Sequence, residues 1–450
     1  MGSSTPPRPT LAARAAAPSG GGDAPERAGA RSVADVPRAR VAAPAAPCRS
    51  CGADRVVAVL DLGRSAVPDR LVAADRLAEP DPTFDLRLGF CPDCMLLQLL
   101  DVPDGAFLYD EDYPYYTTAL PGLLAHFRAS AHEIMARLPL GAHSLVVEAA
   151  SNDGYMLREF AARGIPVLGI DPAPGPARLA EEAGVPTLVD FFCTRVAHGL
   201  AAEGRQADLI LGNNVLNLVP HPEDFARAVD VLLAPDGEVV LEIPYAVETV
   251  RNGWYDNLFL QNSSYFSLLA LDRLFRRHGL RPTLVERLPL LGTSLRVRLA
   301  RTGPVDPSVD ALLEEERALG VDRADWYGAF GDAARAHRDA LRTLLLSERA
   351  RGHRIVAYGA AGGMATTLLA GLGLPDDVLE YAVDVNPYKH GKFTPGLRLP
   401  IHPPSRLAED RPDLVLLLAW NYAQEILAGN EPFRRAGGRF IIPFPEPRVV

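Results

Sequence analysis

Val146-Val147-Glu148-Ala149-Ala150-Ser151-Asn152-Asp153-Gly154 is the stretch that decides the fold of this chain. Its apolar start, Leu145 to Glu148, has the length of a buried strand, and the polar run ending in glycine is turn chemistry. The same alternation continues outward. Tyr155 to Arg163 reads as a helix, Val167 to Asp171 as the next strand, and Leu209 to Leu211 and Glu238 to Ile243 as two more. Strands alternating with helices imply a parallel sheet with crossover helices, whose ligands sit at the carboxyl ends of the strands.

Three groups of residues fall at those ends. Glu148, Ser151, Asn152, Asp153 and Gly154 follow the first strand, and the glycine lets the backbone turn towards a ligand. Asp171, with Pro172 behind it, ends the second strand, where a carboxylate can accept from both hydroxyls of a ribose. Asn213 and Asn214 close a later strand with amides able to face an adenine or an amino-acid group. A nicotinamide cofactor would need Gly-x-Gly-x-x-Gly in the first turn, which Ala149 to Gly154 does not supply. An acidic, glycine-poor loop suits S-adenosylmethionine (SAM), which carries a sulfonium and an amino acid in place of a pyrophosphate.

The bounding quantities fit an α/β enzyme of several parts. At 450 residues the chain has room for two or three domains. Its 48% apolar content is ordinary for a globular protein, and its net charge of −10 opposes a broad nucleic-acid or anionic-membrane surface. Small-molecule partners are expected instead. No apolar run is long enough for a membrane span and the start of the sequence has no signal core, so a cytoplasmic location is expected. Residues 1–46, rich in Ala, Pro, Arg, Gly and Ser, read as a disordered tail.

Cys48-Arg-Ser-Cys51 and Cys91-Pro-Asp-Cys94 form two pairs at identical spacing. Each pair can put two thiolates on one tight knuckle, and together they supply the four soft ligands of a structural zinc site. Cys193 has no partner and reads as a small buried hydrophobe. Towards the end, Arg354 to Gly359, Tyr381 to Asp384 and Leu414 to Leu418 read as strands of another small α/β layer, with Trp420-Asn421 at the last strand end. The division implied is a tail at 1–46, a zinc-binding domain at 47–110 and a methyltransferase-type domain at 111–300. A helical connector at 301–352 and a Rossmann-like domain at 353–450 follow.

Taken together, these motifs resemble the deoxysugar C-methyltransferases of antibiotic biosynthesis. The likeness is carried by the zinc knuckles, Tyr113-Pro-Tyr115-Tyr-Thr117-Thr118, Glu148 to Gly154, Gly169-Ile-Asp171-Pro172 and Asp190-Phe191-Phe192. It continues through Asn213-Asn214-Val215-Leu216, Ser264-Tyr265-Phe266-Ser267, Ser294-Leu295-Arg296 and the run from Asp384 to Ile401. The resemblance implies a class I SAM methyltransferase domain between a zinc-binding head and a C-terminal Rossmann-like domain. It also implies a nucleotide-linked keto-sugar as acceptor, and cofactor contacts that include Asp190 and Phe191.

Two departures bear on the chemistry. The family's Tyr-His-Glu-His ahead of Ser-Tyr-Phe-Ser is replaced by Phe259-Leu260-Gln261-Asn262, and Asn217-Leu218 stand where a further histidine is usual. A carbon beside a ketone must lose a proton before it can be methylated, so the expected base set has become neutral. The acceptor site is therefore expected to be altered. Tyr113, Tyr115 and Tyr265 remain as candidate proton acceptors for a carbon, while Gln261 and Asn262 would orient an acceptor nitrogen or oxygen that needs no base. A non-catalytic SAM- or ligand-binding homologue is the third reading. The second departure is Gly362-Gly363-Met364 where the family carries a lysine, so no diphosphate contact is expected from that turn. His126 is expected to be a surface or packing histidine, and Thr117 and Thr118 to bind substrate or cap the following helix.

Overall fold

The computed structural model describes residues 47–109, 115–290 and 292–450. The expected tail and Tyr113 lie outside the described residues. Three sheets organise the remainder.

The first is antiparallel, with strands β1 (Val57–Ala66), β2 (Thr83–Phe90) and β3 (Leu97–Leu99) closed by β9 (Ser264–Tyr265) from far along the chain. β1 is long, running ten residues from Val57 to Ala66. Register shifts near Ala58 and between Asp61 and Arg64 extend it past the polar Asp61 and Arg64, which interrupt the apolar pattern. The ring of Phe90 stacks on that of Tyr327 at 4.4 Å. Gly331, in the helix Ala324–Ala350, lets that helix approach β1, since a methyl there would meet the Val59 carbonyl at 2.1 Å.

The second sheet contains β4 (Val146–Ala149), β5 (Val167–Asp171), β6 (Thr187–Val189), β7 (Ala207–Asn213) and β8 (Leu233–Pro244), with β10 (Arg281–Leu288) and β11 (Ser294–Ala300) at one edge. Its order is β10-β11-β8-β7-β4-β5-β6. The five strands from β4 to β8 are parallel, and β11 runs antiparallel between β8 and β10. β4 and β5 are buried along their whole length, which their near-continuous apolar runs require in a sheet covered on both faces. The chain leaves β4 for β5 and β6, then returns to β7 on the other side. This topological switch opens a crevice at the carboxyl ends of β4 and β7.

The third sheet contains β12 (Ile355–Tyr358), β13 (Ala382–Val383), β14 (Ile401–His402), β15 (Leu414–Leu417), β16 (Arg439–Ile442) and β17 (Arg448–Val449), in the order β14-β13-β12-β15-β16-β17. All but β17 are parallel, and β12 lies between β13 and β15, so a second switch point opens at its carboxyl end.

Two local expectations change. The helix read from Tyr155 to Arg163 is only Leu157–Ala161, because the turn that begins with left-handed Ala150, Asn152 and Gly154 continues to Met156. The helix Pro121–Arg137 begins on proline with no side-chain cap at Leu120, so neither threonine caps it. Among the described residues, no helix is long and apolar enough to cross a membrane.

Candidate active site and metal centre

The four cysteines converge as their spacing predicts. All four Sγ atoms lie within 4.8 Å of one another, with Cys48 and Cys94 at 3.4 Å and Cys51 and Cys91 at 3.6 Å. A tetrahedral zinc with bonds of about 2.3 Å sets its sulfurs roughly 3.8 Å apart, so this donor set fits the metal. The two knuckles are built alike. Cys48 N–H donates to Ala53 O and Gly52 N–H to Cys48 O, while Cys91 N–H donates to Leu96 O and Met95 N–H to Cys91 O. Gly52 and Met95 take the left-handed backbone at matching positions. None of these cysteines lines the large cavity described next.

That cavity, of about 2640 Å³, joins the carboxyl ends of both parallel sheets and is walled on its third side by the β1–β2 connection of the zinc-bearing unit. On its methyltransferase side it is lined by Ala150, Asn152, Asp171, Pro172, Asn213 and Asn214, with Phe191 at one flank. Asp171 accepts from the backbone N–H of Asn152 at 2.8 Å and of Ala173 at 2.9 Å, which ties the ends of β4 and β5 together. Each oxygen keeps a second lone pair. Burial pushes the Asp171 carboxyl above its ordinary range.

Glu148, Ser151, Asp153, Gly154 and Asp190 stand behind this wall and do not line the cavity. Glu148 is fully buried, accepts from the Asn213 amide at 3.0 Å, and has one oxygen without a partner among the described residues. Burial raises its carboxyl to about 8 despite the hydrogen bond from Asn213. Asn152 and Asp153 reach outward to the aromatic segment. Thr117 N–H donates to Asn152 Oδ1 at 2.9 Å, Asn152 Nδ2 to Tyr115 O at 3.1 Å, and Thr118 N–H to Asp153 Oδ2 at 3.0 Å. Asp190 pairs with Arg195. The site fits SAM in its acceptors: ribose-competent Asp171 and an Asn214 Oδ1 without a partner among the described residues.

The acceptor side carries Tyr115, Gln261, Asn262 and Tyr265 in one lining. Asn262 Oδ1 accepts from Asn217 Nδ2 at 2.8 Å, so the two asparagines at the altered positions hold each other. Gln261 Nε2 donates to Pro68 O at 3.3 Å, leaving its Oε1 buried and without a partner among the described residues. The Tyr265 hydroxyl accepts from Phe259 N–H at 3.1 Å, and burial pushes its phenol far above the ordinary tyrosine value. Tyr115 shifts the same way, first through burial and then through Asp153.

Four placements escape a sequence reading. Cys193 is half-exposed and lines the cavity, correcting its expected burial, because it begins the helix Thr194–Ala202 at the cleft edge. His126 is a packing histidine with a specific partner, the buried carboxylate of Glu242 at 2.7 Å. Lys389 sends its Nζ to Ala360 O at 2.7 Å, so a cation from a later turn occupies the loop that lacks its own lysine. Asp69, on the β1–β2 connection, lines the same cavity. No local motif marks it, since its importance lies only in where three sheets meet.

Comparison with known proteins agrees with this architecture. Residues 48–109 match a zinc binding domain, 124–285 a methyltransferase domain and 289–445 the C-methyltransferase C-terminal domain. The chain is 34% identical over 406 residues to the C-methyltransferase NovU of Streptomyces niveus, covering 90% of this chain and 96% of that one. It is 32% identical over 125 residues to a ubiquinone biosynthesis O-methyltransferase of a Methylobacterium species, covering 26% of this chain and 49% of the relative. A solved magnesium protoporphyrin IX methyltransferase from Synechocystis is similar with a TM-score of 0.33 at 14% identity, over 40% of this chain and 84% of that one. With all three family domains present in order and a relative aligned over nearly its full length, the chain belongs to the zinc-binding, SAM-dependent C-methyltransferases.

Proposed function

We propose that this enzyme methylates a carbon of a nucleotide-linked keto-sugar in an acceptor site altered from the family's pattern. The observation that carries this reading is the single cavity spanning the carboxyl ends of two parallel sheets, large enough for two ligands of nucleotide size. The methyltransferase half would hold SAM through Asp171 and Pro172 on one side and Asn213 and Asn214 on the other. Glu148 would hold the Asn213 amide from behind through the hydrogen bond it accepts, and Ser151, Asp153, Gly154 and Asp190 would shape the loops that present these groups. SAM supplies an electrophilic methyl group.

The opposite half suits an anionic nucleotide. Lys389, Lys392 and Arg398 line it, and one Arg398 nitrogen is buried without a partner among the described residues. Trp254 and Trp420 add aromatic faces, their ring centroids 5.7 Å apart. Tyr115, Gln261, Asn262 and Tyr265 stand between the two halves, where the sugar would lie. The phenol shifts of Tyr115 and Tyr265 work against either as proton acceptor at neutral pH, so we read both as orienting groups.

Gln261 Oε1, without a partner among the described residues, favours one second reading, in which it accepts from an amino, N-hydroxy or hydroxyl group that is itself methylated. A transfer assay with purified protein separates the two. Offered a nucleoside-diphosphate 4-keto-6-deoxyhexose beside its amino and hydroxyl analogues, the enzyme is expected to place the new methyl on carbon, located by NMR. A methyl found only on nitrogen or oxygen refutes the first reading.

A further inference from the structure

The neutral replacements at Gln261 and Asn262 leave a question of where the proton of a carbon acceptor would go. We propose that Asp69, contributed by the zinc-bearing unit, is the proton acceptor of this enzyme. The inference rests on the carbon-methylation reading above and deepens it.

Asp69 is held in place from two sides. Its N–H donates to Ala361 O at 2.7 Å, which fixes it to the turn after β12. The carbonyl of the preceding residue, Pro68, receives Gln261 Nε2 at 3.3 Å. The residue standing in the family's base motif therefore grips the segment that carries the acid. Asp69 also adopts φ +63, a left-handed conformation that costs a non-glycine residue energy and persists only where its surroundings enforce it.

The other carboxylates lining the cavity are engaged. Glu79 pairs with Arg76, Asp81 with Arg398, Asp171 with two backbone N–H groups, and Asp224 with Thr194; Asp104 also has a partner. The Asp69 carboxylate makes no hydrogen bond or ion pair among the described residues. Burial raises it to about 6, with Asp384 adding to the rise and the Lys389 ammonium opposing it. The Gln261 segment and the Ala361 turn bring no charge to it. A carboxylate so shifted stays ionised at neutral pH yet is a stronger base than an exposed one.

In the proposed step, the C–H bond beside the sugar ketone breaks and its proton forms an O–H bond on Asp69. The electron pair remains on the acceptor as the enolate, the nucleophile that carbon methylation needs. Asp69 later returns the proton to water.

The test uses Asp69→Asn in the full chain. Asparagine tolerates the left-handed backbone, so the loop geometry is kept while the base is removed. Two readouts are taken with the nucleoside-diphosphate 4-keto-6-deoxyhexose: exchange of its α-proton in deuterium oxide without SAM, and methyl transfer with SAM. The wild type is expected to exchange and to methylate carbon, with both rates falling through a limb near pH 6 on acidification. Asp69→Asn is expected to lose about 10²-fold or more of both, with zinc content and SAM affinity unchanged. His221, exposed at the cavity mouth, serves as control, and His221→Gln is expected to retain exchange. Wild-type exchange rates in Asp69→Asn, or loss of exchange in His221→Gln alone, overturn the assignment while carbon methylation stands. Methylation on nitrogen or oxygen by the wild type refutes both.

Discussion

Substituting Gly169 by alanine tests how closely the cofactor loop is fitted to the sheet beneath it. Gly169 is central in β5, paired with Glu148 on β4 and Thr187 on β6, and its N–H donates to Pro186 O at 2.8 Å. A methyl there would come within 2.4 Å of Ser151 Oγ, 2.8 Å of Thr187 Oγ1 and 3.0 Å of Ser151 Cβ. The strand cannot step aside, being hydrogen-bonded on both edges, so Ser151 must move. Overpacking of this kind costs about 1–3 kcal/mol. Alanine recovers roughly 0.4–1 kcal/mol by restricting the unfolded chain. The net expectation is a loss of about 1–2 kcal/mol in urea unfolding followed by circular dichroism, with an unchanged slope. SAM affinity should fall too, because Ser151 belongs to the loop that carries Asn152. Adding Ser151→Ala removes the shortest contact, and since Ser151 Oγ has no partner among the described residues, it sacrifices no hydrogen bond. The double variant should regain about half the lost stability. An unfolding midpoint for Gly169→Ala equal to wild type, or no recovery in the double variant, would falsify this account.

Cys91→Ser should release most of the zinc, because the remaining three sulfurs cannot close a tetrahedral site; metal analysis after dialysis showing wild-type content would refute the four-cysteine assignment. Asp171→Ala leaves the Asn152 and Ala173 N–H groups without their acceptor. It also removes the acceptor for the two ribose hydroxyls, and with hydrogen bonds to charged groups worth about 1.5–3 kcal/mol each, SAM affinity by calorimetry should drop by about 10²-fold or more; unchanged affinity would remove Asp171 from the cofactor site. Glu316 accepts from Tyr245 and from the N–H groups of Leu268 and Leu269, and burial raises its carboxyl from 4.5 to about 7. The folded state thus holds this proton more tightly than the unfolded chain. Its stabilising effect is complete below about pH 4.5 and is lost as pH rises through about 7, by roughly 3 kcal/mol in all. Glu316→Gln should flatten that part of the stability profile, and an unaltered slope would show that another group sets it.

What the sequence makes legible follows from how local each signal is. The turn after β4, the acid ending β5 and the paired cysteines are recognisable because their chemistry depends on neighbours only a few residues away. The edge strands β6 and β10 carry weaker signals: β6 is three residues long with two exposed, and β10 mixes arginine and glutamate into its pattern. Asn152 and Asp153 show the limit of motif reasoning from the other direction. They occupy the expected loop, yet their side chains face the Tyr115–Thr118 segment, a partner that only the folded chain brings near.

The acceptor site is the least legible part because no single element builds it. Gln261 and Asn262 announce in sequence only that a base has gone. What remains there is defined by contacts across large separations: Gln261 to Pro68, Asp69 to Ala361, and Lys389 to Ala360. The first joins the methyltransferase part to the zinc-bearing unit, the second joins the zinc-bearing unit to the C-terminal sheet, and the third ties two turns of the C-terminal part together. An arrangement of this kind lets a catalytic function move between domains while the fold stays intact, since a carboxylate on a wall of the cavity needs only to reach the same substrate atom. The zinc then has a functional consequence although its ligands lie outside the cavity, because the unit it staples carries Asp69. Loss of metal should therefore weaken α-proton exchange before it weakens SAM binding. A zinc-depleted protein that loses SAM affinity first, with exchange preserved, would contradict that division of labour.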